Sequence, residues 1–480
     1  MEDQSLHSLL GYPMELCQCI FSYLSKTDYF NLCLVHGRLR TIAEPYLYSE
    51  IQFTWEEKLQ PHPITSLLRS LLRRPQLATF IRRLSLADFK FYNPYSEDRA
   101  PKILVSEDAL KELIAFVMKA TVPYRQIWLE ELQNGTMDAF VALLLSQPLR
   151  LSCLAIDGDF LWESKLIGLV LRSMLFEPDA HYNGLRLDLS HLETVSLQAS
   201  GDRFRFYNNA RNTDDILPIF YLPSVKRISA SVDNPSNFSW PGTTPPSPAK
   251  LRNLKLENIR EPFLGQLLSV TNQLQYLHWR WYYFEDVYDK QFRTRIIDLT
   301  QITKSISYVR ETLTELIISA TAANDPEPPP LIIRGSMKGM RDFKKLIKLT
   351  VSRTFLMGGW SLDLTKRVEE YLPQNLKFLT MADDLATHEE YDWADRDLYC
   401  MLERLLKACQ TSTPHLCEVK VITHRPHEIT AQTRKLSESI NGVSIQFEEP
   451  ASLRGHGRGR GRGRGRGIGR LRPTWYEPIW

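Results

Sequence analysis

Eleven histidines and seven cysteines are the groups in this 480-residue chain best suited to bind metal or relay protons. Their spacing argues against both. His388, Glu389 and Glu390 are adjacent, but they sit in an acidic stretch, Asp383–Asp397, without the spacing of metal ligands. His181 and His191 are isolated, and His424 and His427 flank a proline, which implies a loop. Cys17 and Cys19 lie two apart, while Cys33, Cys153, Cys400, Cys409 and Cys417 are scattered. A disulfide framework or a structural zinc site needs regular spacing, so these read as reduced thiols of an intracellular protein, cytoplasmic or nuclear. The chain holds no HExxH, no phosphate-binding glycine loop, no GxSxG, and no GxGxxG ahead of a helix. The expectation is a non-enzyme, with no catalytic residues, cofactor or metal.

The remaining chemistry is that of recognition. Gly457–Gly467 alternates glycine and arginine, and residues 454–472 carry eight arginines and no acid. Glycine at every second position raises chain entropy, so the tail, 451–480, is expected to be disordered. It resembles the arginine–glycine repeats of RNA-binding proteins. Closely spaced guanidiniums pair with phosphates and stack on bases, which makes Arg458, Arg460, Arg462, Arg464 and Arg466 nucleic-acid-binding candidates and RNA a candidate partner. Acidic proteins would attract the same charge. Setting aside these eight arginines and Glu477 from the chain's 59 bases and 56 acids leaves a body of net charge about −4. No apolar run approaches the ~20 residues needed to span a bilayer, so no membrane partner is expected.

A repeated element could hold a binding surface. From residue 81 a pattern Φ-x-x-Φ-x-Φ recurs, with Φ mostly aliphatic. It appears at Ile81/Leu84/Leu86, Tyr124/Ile127/Leu129, Leu151/Leu154/Ile156, Leu192/Val195/Leu197 and Val225/Ile228/Ala230. It continues at Leu251/Leu254/Leu256, Leu274/Leu277/Trp279, Leu313/Leu316/Ile318, Leu346/Leu349/Val351, Leu376/Leu379/Met381 and Leu416/Val419/Val421. The second and third positions alternate as in a half-buried strand. Between them lie helical stretches such as Asp108–Lys119, Met137–Gln147, Arg295–Val309 and Asp395–Cys409. Strand and helix in alternation resemble a leucine-rich-repeat solenoid. Intervals of 23 to 43 residues make it irregular, and the asparagine expected eight residues after the first Φ is missing. Ser, Thr or Asp stands there instead, as at Thr354 and Asp384. Asn234–Lys250, rich in proline, reads as an extended insertion, and Asp383–Asp397 as a solvated one. Side chains alternating with the buried ones face a binding surface, so Trp128, Lys255, Tyr276, His278 and Arg280 are substrate-binding candidates, with Lys348 beside them.

The N-terminus is different. Pro13 suits a helix start, and Leu16, Ile20 and Leu24 follow on one helical face. Ser25 or Thr27 can cap a second helix, with Asp28 in its first turn. That helix carries Phe30, Leu32, Leu34 and Val35 on more than one face. About forty residues this rich in leucine need another surface for support. The segment resembles the fungal F-box domain. Pro13, Glu15, Leu16, Ile20, Leu24, Asp28, Leu32, Val35, Arg38, Leu39, Arg40, Ala43, Pro45, Leu47 and Tyr48 match its signature in order. Tyr12, Tyr29 and His36 depart from it. The resemblance implies a Skp-family adaptor and a cullin ligase complex as partners, with Leu10, Pro13, Leu16, Ile20, Leu24, Asp28, Leu32 and Val35 as adaptor-binding residues.

The resulting expectation is an α/β chain: a three-helix F-box domain at 8–50, an irregular leucine-rich-repeat-like array at 63–449 and the Arg-Gly tail. Its expected function is substrate recognition for an SCF-type ubiquitin ligase, with an unknown protein as substrate. A non-degradative F-box scaffold and an RNA-associated protein acting through the tail are the alternatives.

Overall fold

The computed structural model describes residues 12–55, 62–88, 102–157, 164–176, 188–198, 213–232, 234–235, 237–283, 294–322, 330–363, 365–386, 388, 390–393, 395–423 and 442–449. Leu10 and the tail arginines Arg458, Arg460, Arg462, Arg464 and Arg466 lie outside them. The chain divides into two compact units: residues 1–200, 210–233 and 239–251 form the first, and 201–209, 234–238 and 252–480 the second.

The first unit opens with three helices, α1 (Met14–Phe21), α2 (Lys26–Val35) and α3 (Gly37–Ser49). Five parallel strands follow in chain order: β1 (Glu50–Trp55), β2 (Arg83–Asp88), β3 (Cys153–Asp157), β4 (Thr194–Gln198) and β5 (Arg227–Ser231). Their register stacks Leu84, Leu154, Val195 and Ile228 in one buried column, and Leu86, Ile156, Leu197 and Ala230 in the next. Each large side chain so buried contributes roughly 1.5–3 kcal/mol, which is why the Φ positions recur. The helices between them are α4 (Pro63–Arg73), α5 (Glu107–Lys119), α6 (Arg125–Gln133), α7 (Met137–Leu145), α8 (Leu166–Phe176) and the short α9 (Thr213–Ile216). All of α7 but Asp138 is buried. Asp138 spans to the start of α8, accepting from the backbone N–H groups of Lys165, Leu166 and Ile167 and so satisfying donors that a helix start leaves open.

The second unit repeats the plan. Strands β6 (Asn253–Glu257), β7 (Tyr276–Tyr283), β9 (Glu315–Ala322), β11 (Lys348–Ser352), β12 (Phe378–Ala382), β13 (Glu418–Ile422) and β14 (Ser444–Glu448) lie parallel in that order. A separate parallel pair joins β8 (Ile296–Asp298) to β10 (Ile332–Arg334). The columns are Leu254, Leu277, Leu316, Leu349, Leu379, Val419 and Leu256, Trp279, Ile318, Val351, Met381, Val421, all buried. Helices α10 (Glu261–Leu268), α11 (Leu299–Ile306), α12 (Arg353–Met357) and α13 (Asp395–Ser412) complete it. Gly358 ends α12 in the left-handed conformation, φ 66°, where a Cβ would be strained.

Several expectations are corrected. Tyr124/Ile127/Leu129 does not start a strand, because it lies at α6. Tyr124, Trp128 and Leu132 are all buried and spaced by four, a helical period that the strand pattern concealed. The acidic stretch after β12 is partly packed: Asp383, Leu385, His388 and Trp393 are buried, while Glu390 and Asp392 stay exposed. Asp383 pairs with the buried guanidinium of Arg353 at 3.0 Å, and His388 stacks on Trp360 at 4.3 Å between ring centroids. Among its described residues the proline-rich insertion has no regular element but is anchored: Tyr221 donates to the Thr244 carbonyl at 2.7 Å and accepts from the Gly242 N–H at 3.2 Å. Asparagine also appears, shifted in position. Buried Asn234 donates to the Asn258 carbonyl and accepts from the Arg260 N–H, while Asn258 takes φ 73°.

Four strands escaped the sequence pattern: β1, β14 and the separate pair β8 and β10. Tyr48/Ile51/Phe53 fits Φ-x-x-Φ-x-Φ at β1, but its leading residue lies in the helical module. Ile445 and Phe447 in β14 alternate but lack the leading residue.

Candidate functional site

In the N-terminal module, α1, α2 and α3 pack Cys17, Phe21, Tyr29, Cys33, Leu39, Ile42 and Ala43 into a small core, with Leu24 and Leu32 partly buried against it. Two departures from the F-box signature have structural roles. The Tyr29 hydroxyl donates to the Phe21 carbonyl at 2.5 Å, and its ring stacks on Tyr46 at 5.4 Å. His36 caps α3, its Nδ1 accepting from the Arg38 N–H. Ser25 and Asp28 form a reciprocal capping box at the start of α2. The Ser25 hydroxyl and amide hold the Asp28 carboxyl below the usual carboxylate range.

A core this small leaves many large apolar groups outside. Tyr12, Met14, Leu16, Ile20, Tyr23, Phe30, Leu34 and Val35 are exposed, Tyr23 at 90%, Val35 at 73% and Leu34 at 65%. Of the expected adaptor contacts, Pro13, Leu16, Ile20 and Val35 are on the surface. Leu24 and Leu32 face their own core, and Asp28 serves as a cap. Met14, Tyr23, Phe30 and Leu34 are exposed as well and are not among the expected contacts. The signal was present in α2, whose apolar residues leave it no single hydrophobic face; one set packs inward and the other is unspent.

The second site is the half-buried face of the strands in the second unit. Register sets Lys255 beside His278 and Glu257 beside Arg280. Lys255 Nζ lies 3.8 Å and an Arg280 nitrogen 3.5 Å from the same Glu257 oxygen. Arg280 also donates to the Tyr282 hydroxyl at 2.8 Å. His278 Nε2 is 3.2 Å from Ser319 Oγ. Burial, then the charges of Lys255 and Arg280, push the His278 imidazole down to about 3, so it stays neutral there. Burial also lowers the Lys255 ammonium. Tyr276 stands opposite Glu315, which also pairs with Lys348 at 3.5 Å. Lys420 pairs with Glu448 at 2.9 Å. Short side chains, Ser319, Thr350 and Thr380, lie between these pairs. Lys255, Tyr276, His278 and Arg280 are thus brought together as expected from their strand positions. Trp128 is not: it is fully buried in α6, its Nε1 donating to the Ala139 carbonyl at 3.0 Å.

All seven cysteines carry free thiols. Among the described residues no cluster of His, Cys, Asp or Glu could hold a metal ion, and no helix is long and apolar enough to cross a membrane.

Two family models match this chain. A family model described as a leucine-rich repeat domain matches residues 60–446, and one described as F-box-like matches residues 13–54. A chain in the crystal structure of the Rad7 and Elc1 complex in yeast is similar over 90% of this chain and 92% of its own length, at 11% identity and a TM-score of 0.31. No curated protein sequence matches.

Proposed function

The chain belongs to the leucine-rich repeat domain family and carries an F-box-like domain ahead of its repeats, and on that basis we propose that it is the substrate-recognition subunit of a cullin-based, SCF-type ubiquitin ligase. The exposed apolar surface of α1 and α2 carries this reading. It docks a Skp-family adaptor, while the strand face around Lys255, Tyr276, His278 and Arg280 binds a protein target. The chain itself performs no chemistry; it raises the local concentration of the target near a ligase that does. Such a subunit works inside the cell, where its thiols stay reduced.

Calorimetry of the full chain with a purified Skp-family adaptor tests the first half. Saturable binding that Leu16→Asp with Leu34→Asp abolishes is expected, and no binding by the unaltered chain would overturn the proposal. Stabilisation of a captured target by a proteasome inhibitor tests the second half, whereas an unchanged half-life points to a scaffold.

A second contact is proposed for the tail, from the contrast between its eight arginines and a body of about −4. Single-stranded RNA neutralising those arginines gives a logarithmic salt slope of ~0.7 per phosphate contact. Deleting residues 454–472 should abolish RNA binding and leave adaptor binding intact. Identical titrations for both proteins would refute the contact.

A further inference from the structure

A receptor of this kind must hold one partner at a defined angle to the other, and the join between the helical module and the first strands bears on that. The helix α3 ends at Ser49 and β1 begins at Glu50, so no linker residue separates them. The strand β1 then pairs with β2 along its full length, from Glu50 opposite Arg83 to Trp55 opposite Asp88. Two further bonds tie the junction. The Arg82 N–H donates to the Ser49 carbonyl at 2.8 Å, and Lys26 Nζ from α2 donates to the Glu50 carbonyl at 3.1 Å.

These bonds fix where the chain passes, but a single strand could still act as a hinge. A side-chain pair closes that freedom. Glu44, midway along α3, accepts from both terminal nitrogens of Arg74 at 2.7 Å each. Arg74 stands at the end of α4, outside the module. The Glu44 side chain is only 11% exposed, and its hydrogen bond raises the Arg74 guanidinium still further above its ordinary value. Two parallel bonds between planar groups resist rotation as well as separation. We infer that Glu44 and Arg74 are positioning residues: within the first unit they lock the F-box-like module to α4 and the first strands as one rigid body, so that a docked adaptor is held at one orientation to them.

The consequence for an adaptor rests on the proposed function, but the rigidity does not, so it can be measured on the full chain alone. Cys19 is exposed on α1, and Cys417 is the other exposed cysteine. Burial raises the thiols of Cys33, Cys153 and Cys409 and slows their alkylation. With Cys153→Ser, Cys400→Ser and Cys417→Ser, which remove the other thiols that are not buried, and with Lys111→Cys, nitroxides on residues 19 and 111 report the distance from α1 to α5 by pulsed electron resonance. The reference protein should give one narrow distance distribution. Arg74→Gln should broaden it without changing the far-ultraviolet circular dichroism, and Arg74→Lys, which keeps the charge and one bond, should restore most of the narrowness. An unchanged width in Arg74→Gln overturns the inference. So does broadening accompanied by loss of helix signal, which would make the pair a stability element and not a clamp. Failure to bind any adaptor would sink the ligase reading and leave this result untouched.

Discussion

The face of α1 and α2 and the face of β6 and β7 are both surfaces, yet they are finished to different degrees. On the first, the apolar side chains of Tyr23, Leu34 and Val35 are mostly exposed. On the second, and on the strands that continue it, charges are paired: Lys255 and Arg280 share Glu257, Lys348 has Glu315, and Lys420 has Glu448. An apolar face gains free energy from nearly any complementary cover, at roughly 25 cal/mol per Å². A face of paired charges must first give up those pairs, so it gains little from a poor match and discriminates among partners. The contrast fits the proposed pairing of a constant partner for the first face with a selected partner for the second.

The largest expected effect would break the first face. Leu16→Ala with Leu34→Ala removes two exposed side chains that are not in the module's core. Adaptor affinity should fall well over tenfold, since each interface anchor is worth ~2 kcal/mol or more and ~1.4 kcal/mol is tenfold. The unfolding midpoint should hardly move. A loss of stability equal to the loss of affinity would show that these residues are core after all.

Acid should come next, and it acts on both units. His62 caps α4, with Nδ1 accepting from the Ile64 N–H, and burial lowers its imidazole from 6.5 to about 4. His278 is lowered to about 3. An unfolded chain protonates both near pH 6.5, while the folded protein resists. Stability is therefore unaffected above pH 6.5 and is lost as pH falls from there towards 4, by up to roughly 3 kcal/mol for His62. His62→Asn keeps a capping oxygen and removes the titration, so its denaturant midpoint should fall less between pH 7 and pH 4.5. Parallel slopes for the two proteins would contradict the assignment.

A smaller effect sharpens the second face. Arg280→Gln leaves the buried Glu257 carboxylate with one cation fewer on that face, at a cost of ~1–3 kcal/mol by chemical denaturation. Adaptor binding should be unchanged. The smallest belongs to Lys348→Gln, which breaks an exposed pair with Glu315 and should cost under ~1 kcal/mol, falling further in high salt. If Lys348→Gln cost more than Arg280→Gln, the ordering of these charges by burial would be wrong.

Local rules alone determined a good deal. The Φ-x-x-Φ-x-Φ starts mark ten of the parallel strands, because burying one edge of each turn of chain demands apolar residues at those intervals whatever the neighbours are. The polar positions between them, Lys255, His278 and Arg280, could be assigned to one face for the same reason, since alternation along a strand is geometric. The resemblance to the F-box signature was legible in the residues of α1 to α3. Three-dimensional packing decided the rest. Trp128 reads as strand or helix within a window of six residues, and only its burial in α6 at the spacing of Tyr124 and Leu132 separates the two. Asp383 and His388 look solvated in an acidic run, but Arg353 and Trp360, distant in sequence, bring them inside. Which leucines of the module are core and which are surface was likewise undecidable from spacing. Leu24 and Leu34 belong to the same kind of pattern, and only the packing of three short helices leaves one half-covered and the other 65% exposed. Periodicity is a property of the chain, whereas burial depends on contacts between segments that are distant in the sequence.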